Sequence, residues 1–166
     1  GCYSLTHIDV DKNNPYYASR DGILYSRDLT CLIRCPMGRR GSFTIPDFVT
    51  VVESSAFYEC CFLTSVTIPD TVNALYDWCF AHCTSLTRVD IPDSVTFIGD
   101  TTFFNCTSLV DITIPDSVTY IGYHTFYNCS SLVNITIPDS VTFMGGATFM
   151  DCTSLTNITL SESLTD

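Results

Sequence analysis

The chain has 166 residues, 46% of them hydrophobic, and a formal net charge of −11. That length supports one domain with a substantial core. No apolar run approaches the ~18 residues of a membrane-spanning helix, and no basic segment followed by an apolar one marks a leader at the start.

The charge is uneven along the chain. Six of the seven Lys and Arg lie in the first 41 residues against four acids, and the remainder carries one cation against fourteen acids. So acidic a body excludes nucleic acid along that part. Arg34, Arg39 and Arg40 are expected in a solvated loop, with contact to an anionic partner as the alternative.

Residues 1–42 read as a variant first repeat. Cys2, Leu5, Ile8 and Val10 have the spacing of a coil core. Residues 23–25 and 31–34 are predicted as two short strands around a polar turn, an inserted β-hairpin. From residue 43 the chain is periodic: Ile-Pro-Asp recurs at 45–47, 68–70, 91–93, 114–116 and 137–139, a constant step of 23. Residues 43–166 therefore divide into five consecutive repeats and the start of a further coil, and with 1–42 they make one solenoid domain.

Seven positions of each unit stay apolar, as in Phe80, Cys83, Leu86, Val89, Ile91, Val95 and Ile98. Val-x-Ile alternates, which turns two side chains to one face of a strand. Pro then removes a ladder donor, and the following Asp is expected to close the turn by accepting a backbone N–H. The threefold spacing of Phe-x-x-Cys-x-x-Leu suits a turn of helix or 3₁₀. A period of 20–29 with a Leu-x-x-Ile-x-Ile core is the mark of a leucine-rich solenoid, whose coils share one continuous core. The expected fold is a β-rich α/β repeat solenoid, a right-handed superhelix with a parallel β ladder and short 3₁₀ or helical turns. Gly1 opens inside a coil and neither end carries a polar cap, so a piece of a longer array is expected, with sticky ends that associate end to end.

The unit Phe-x-x-Cys-x-x-Leu-x-x-Ile-x-Ile-Pro-Asp-Ser-Val-Thr-x-Ile-Gly resembles the BspA-type leucine-rich repeat over residues 43–164. The resemblance implies a bacterial cell-surface or secreted protein and a non-catalytic module for protein or glycan binding and adhesion. A passive spacer within a longer surface protein is the alternative. Glu53 and Tyr76 depart from the pattern where Gly99, Gly122 and Gly145 stand in later coils, and those two coils are expected to bend differently.

Ten cysteines invite disulfides, but five occupy one core position among Phe and Leu, where parallel side chains do not converge. They read as buried thiols, with zinc held by Cys60, Cys61, Cys79, His82 and Cys83 as the alternative. The row of Asp47, Asp70, Asp93, Asp116 and Asp139 reads as turn residues, with calcium as the alternative. His82 reads as a surface replacement for the Asn105 and Asn128 of later coils. No catalytic or phosphate-binding motif occurs, so no enzyme activity, cofactor or metal is expected. Asn105, Asn128, Asn134 and Asn157 head glycosylation sequons generated by the repeat.

Two surfaces are candidates for a partner. The outward strand positions form a small polar face, read as concave, with Arg88, Asp90, Asp111, Asn134 and Asn157. Phe97, Tyr120 and Phe143 fall in register on the opposite side, as an exposed strip for a partner or as rings that stack across coils. The expected partner is a protein or glycan, without direct membrane insertion.

Overall fold

The computed structural model describes residues 1–164, so 165 and 166 of the expected further coil lie outside the described residues. Among the described residues there are short strands and no helix. In chain order the strands are β1 (Tyr17–Arg20), β2 (Ile23–Ser26), β3 (Cys31–Arg34), β4 (Gly41–Thr44), β5 (Val51–Val52), β6 (Leu63–Thr67), β7 (Ala74–Leu75), β8 (Arg88–Asp90), β9 (Phe97–Ile98), β10 (Tyr120–Ile121), β11 (Asn134–Thr136), β12 (Phe143–Met144) and β13 (Asn157–Thr159).

The inserted hairpin is present as β2 and β3, and β1 extends it to three antiparallel strands. β3 then runs parallel to β5, which joins the hairpin to the solenoid. Residues 2–10 depart from the expected coil. Cys2 and Leu5 are exposed, Ile8 and Val10 are half-buried, and none lies in a strand. Their backbone donors serve the hairpin instead: the Ile8 N–H donates to the Gly22 carbonyl at 2.9 Å and the Val10 N–H to Ser19 Oγ at 3.0 Å.

From β4 onward the coils stack through two parallel ladders at steps of 23 residues. One runs β4–β6–β8 and resumes as β11–β13. The other runs β7–β9–β10–β12. Between them lies the core, where Phe57, Phe80, Phe103, Phe126 and Phe149 stack with ring centroids 5.0–5.6 Å apart. Beside the rings runs a column of thiols. Cys83 Sγ donates to the Phe57 carbonyl at 3.1 Å, and Cys106, Cys129 and Cys152 repeat the contact to Phe80, Phe103 and Phe126 at 3.2, 3.3 and 3.0 Å. Cysteine suits this position because it fills a small apolar site and its weak S–H donor finds a buried acceptor.

The stretch expected to be helical is a zigzag of turns. In the coil of Phe57, the N–H groups of Ala56, Tyr58 and Cys60 bond three residues back, to Glu53, Ser55 and Phe57. The intervening N–H groups of Ser55, Phe57 and Glu59 leave the coil for the carbonyls of Asp77, Cys79 and Ala81. Positive φ at Ser55 and Glu59, repeated at Trp78 and His82 and at Thr101 and Asn105, reverses the chain before a second helical bond can form. Threefold apolar spacing thus marks single turns, and the donors a helix would keep inside go to the neighbouring coil. The solenoid is built of about 23-residue coils without the α component expected.

Two further expectations are corrected. The Pro-Asp corner is closed by backbone, with the N–H of Val49, Val72, Val95, Val118 and Val141 donating to the Pro carbonyl three residues earlier at 2.9–3.1 Å. None of the five Asp carboxylates makes that bond among the described residues. Nor do Gly99 and Gly122 mark a different bend, because Glu53 and Tyr76 begin the same turn pattern. The glycines leave room for a carboxylate: a Cβ at Gly99 would meet Asp77 Oδ1 at 2.4 Å, and Asp77 Oδ1 accepts the Asp100 N–H at 2.9 Å. Ser54 stands to Tyr76 as Asp77 stands to Gly99, and Ser54 carries no carboxylate, so that pairing does not arise there.

Candidate functional site

The polar face follows from strand alternation. Val66, Val89, Ile112 and Ile135 point into the core, and their neighbours point out. Arg88 Nε meets Asp90 Oδ1 at 2.6 Å along its own strand, with side chains 72% and 45% exposed, so this ion pair lies in solvent. The other strand-face residues offer amides and hydroxyls, a surface suited to many modest hydrogen bonds.

This ladder is interrupted at one coil. Ile45, Ile68 and Ile137 each donate their N–H to a carbonyl of the next coil, Thr67, Asp90 and Thr159, at 3.0, 3.1 and 2.8 Å. The equivalent donors Ile91 and Ile114 make no such bond, residues 111–113 form no strand, and β8 and β11 each pair on one side only. A cleft flanks the segment on either side. One, of about 400 Å³, lies between residues 87–91 and 111–113. The other, of about 310 Å³, lies between 111–116 and 134–138. Arg88, Asp90 and Asp111 line the first and Asp111 and Asn134 the second, so four of the five strand-face candidates are brought together. Asn157 stands in register with Asn134 on the next strand, outside both clefts.

The row of Phe97, Tyr120 and Phe143 is in register on the second ladder. The rings stack on one another with centroids 4.8 and 4.7 Å apart and planes within 10° of parallel. Their faces are thereby spent on each other, and the half-buried side chains leave edges to solvent. Burial, with Asp100 adding to it, pushes the Tyr120 hydroxyl above its ordinary pKa.

A second aromatic row is not among the sequence candidates. Tyr58 meets Trp78 and His82, these meet Phe104, and Phe104 stacks on Tyr127 at 4.8 Å. Beside it Asn128 Nδ2 donates to Asn105 Oδ1 at 2.6 Å, and Asn105 reaches His82 Nδ1 at 3.0 Å. His82 thus takes the place of Asn105 and Asn128 in an amide ladder, as expected, and is half-buried in a packed row. The signal was present in the doubled aromatics Phe57-Tyr58, Phe103-Phe104 and Phe126-Tyr127.

The arginines of the first module are also engaged. Arg40 lies over the Phe62 ring at 4.1 Å, Arg39 over Phe43 at 5.1 Å and Arg34 over Tyr58 at 6.0 Å. Arg34 also donates to the Ser55 and Tyr58 carbonyls. Arg34 lies in β3 rather than in the expected loop, Arg39 is half-buried, and Arg40 is exposed in a loop as expected. The zinc alternative is not assembled: Cys61 Sγ turns to the His82 carbonyl at 3.3 Å, and no group of three His, Cys, Asp or Glu among the described residues is placed to hold a metal.

Comparison with known proteins places this geometry. The model of the BspA-type leucine-rich repeat region matches residues 79–166 in six copies. A leucine-rich cell-surface protein of Faecalibacterium prausnitzii A2-165 is 34% identical over 96% of this chain and 43% of its own, with a TM-score of 0.88. The pneumococcal vaccine antigen PcpA is 25% identical over 97% of this chain and 41% of its own, TM-score 0.85. The leucine-rich repeat protein of T. pallidum is 31% identical over 81% of this chain and 65% of its own, TM-score 0.74. This chain therefore spans between two fifths and two thirds of each of those structures. No protein with a curated description matches it. The chain belongs to the BspA-type leucine-rich repeat family.

Proposed function

We propose that the chain is a non-catalytic module of a cell-surface or secreted bacterial protein, and that it binds a protein or glycan partner through the strand face of Arg88, Asp90, Asp111, Asn134 and Asn157. The observation that carries this reading is the convergence of four of those residues on two clefts at the coil where the strand-face ladder is interrupted. The cell-surface description of the F. prausnitzii neighbour supports the location. A double substitution, Asp111→Arg with Asn134→Arg, changes only outward groups, so thermal stability should move by no more than a few tenths of a kcal/mol. Arrays of extracellular matrix proteins and of glycans should show at least one ligand whose affinity falls tenfold or more in that variant.

The spacer reading rests on a different observation, the two aromatic rows that link consecutive coils. It predicts no ligand on either array. A ligand held equally well by the double variant would place binding elsewhere on the surface.

A further inference from the structure

We infer that the interrupted ladder is a docking slot for an extended, cationic segment of a partner protein, bound by strand insertion at the coil of Asp111. This rests on the strand-face reading above and goes further by naming the binding mode and the chemistry of the partner. The unpaired groups are specific. In the intact coils the donor at this position (Ile45, Ile68, Ile137) and the acceptor one coil on (Thr67, Asp90, Thr159) satisfy each other. Here the N–H groups of Ile91 and Ile114 and the carbonyls of Thr113 and Thr136 lack that bond. All four residues line the clefts. A main-chain donor and acceptor facing a cleft is what an added β-strand uses for affinity. The first cleft runs along residues 87–91, room for an extended run of three or four residues at ~3.3 Å each.

Charge selects the occupant. Arg88 is committed to Asp90 at 2.6 Å, which leaves Asp111, and Asp116 in the second cleft, without an ion-pair partner among the described residues. From residue 42 onward the chain carries one cation against fourteen acids. An extended segment with outward Lys or Arg complements this field, and an acidic one is repelled.

Three synthetic ten-residue peptides separate the terms: alternating Val and Lys, alternating Val and Glu, and the Val/Lys peptide N-methylated along one edge so that it cannot donate to a strand. The Val/Lys peptide should bind and slow amide exchange at Ile91 or Ile114 at least tenfold. The Val/Glu and N-methylated peptides should do neither, and Asp111→Asn should weaken binding several-fold. Equal binding by the N-methylated peptide would reduce the slot to surface charge and overturn strand insertion. So would amides of Ile91 and Ile114 that, in the free protein, exchange as slowly as those of Ile68 and Ile137. If the Val/Lys peptide fails while Asp111→Arg with Asn134→Arg still abolishes capture of an array ligand, the insertion mode falls and the strand-face function stands.

Discussion

At the scale of single residues, the cysteine column shows how a repeat resolves a polar problem inside an apolar core. Each column thiol from Cys83 onward reaches back one coil to a carbonyl that also accepts an N–H from its own turn. Burial pushes the Cys106 thiol up from 9.0 to about 12, with its bond to the Cys83 backbone acting the other way. An acid whose folded pKa is raised holds its proton longer in the native state. Its contribution is therefore fully present below pH ~9 and lost as pH climbs toward 12. We expect stability to fall between pH 9 and 11, and Cys106→Ala to flatten that fall while costing about 1–3 kcal/mol at pH 7. Urea denaturation at pH 7, 9 and 10.5 measures both. A variant as stable as the parent at pH 7 would show that the column adds nothing.

At the scale of elements, the turns and the aromatic rows share one cause. A coil whose N–H groups alternate between its own turn and its neighbour cannot become a helix, and it holds successive side chains in register one coil apart. Phe97, Tyr120 and Phe143 stack because β9, β10 and β12 bring them to the same point of each coil. Parallel rings at 4.7–4.8 Å are worth about 0.5–1.5 kcal/mol per pair beyond their burial. Replacing all three with Ser should therefore cost ~2–4 kcal/mol once lost burial is included, visible as a lower midpoint in thermal melting. An unchanged midpoint with lost ligand binding would return the row to the role of a partner strip.

At the scale of the whole molecule, the arginines account for the charge asymmetry. Arg20, Arg34, Arg39 and Arg40 lie over Phe48, Tyr58, Phe43 and Phe62, covering rings of the first repeat coil. Arg20 and Arg40 are exposed and Arg34 and Arg39 half-buried, so each contact contributes about 0.5–1 kcal/mol and the basic module is partly held against those rings. At the other end β13 pairs on one side only, and Ile158 and Leu160 are 37% and 50% exposed. Such an edge is a template for another strand. Sedimentation velocity should show concentration-dependent self-association, reduced by Thr159→Pro. A strictly monomeric species up to millimolar concentration would remove the edge as a contact.

The 23-residue step, the inward positions and the polar strand face were legible in the residues themselves, because apolar spacing is local and each coil repeats the same test of it. Four of the five outward candidates meet at the clefts for that reason: alternation along Arg88-Val89-Asp90 settles which way they point. The opening of the ladder was not legible. Asp111-Ile112-Thr113 has the same apolar spacing as Asn134-Ile135-Thr136, and only backbone pairing with residues one coil away distinguishes them. The absence of helix, the aromatic row of Tyr58, Trp78, Phe104 and Tyr127, and the arginines over rings have the same origin. Apart from the local pair Arg39 and Phe43, each is decided by groups about one coil apart in sequence, and such contacts exist only when the coils are stacked.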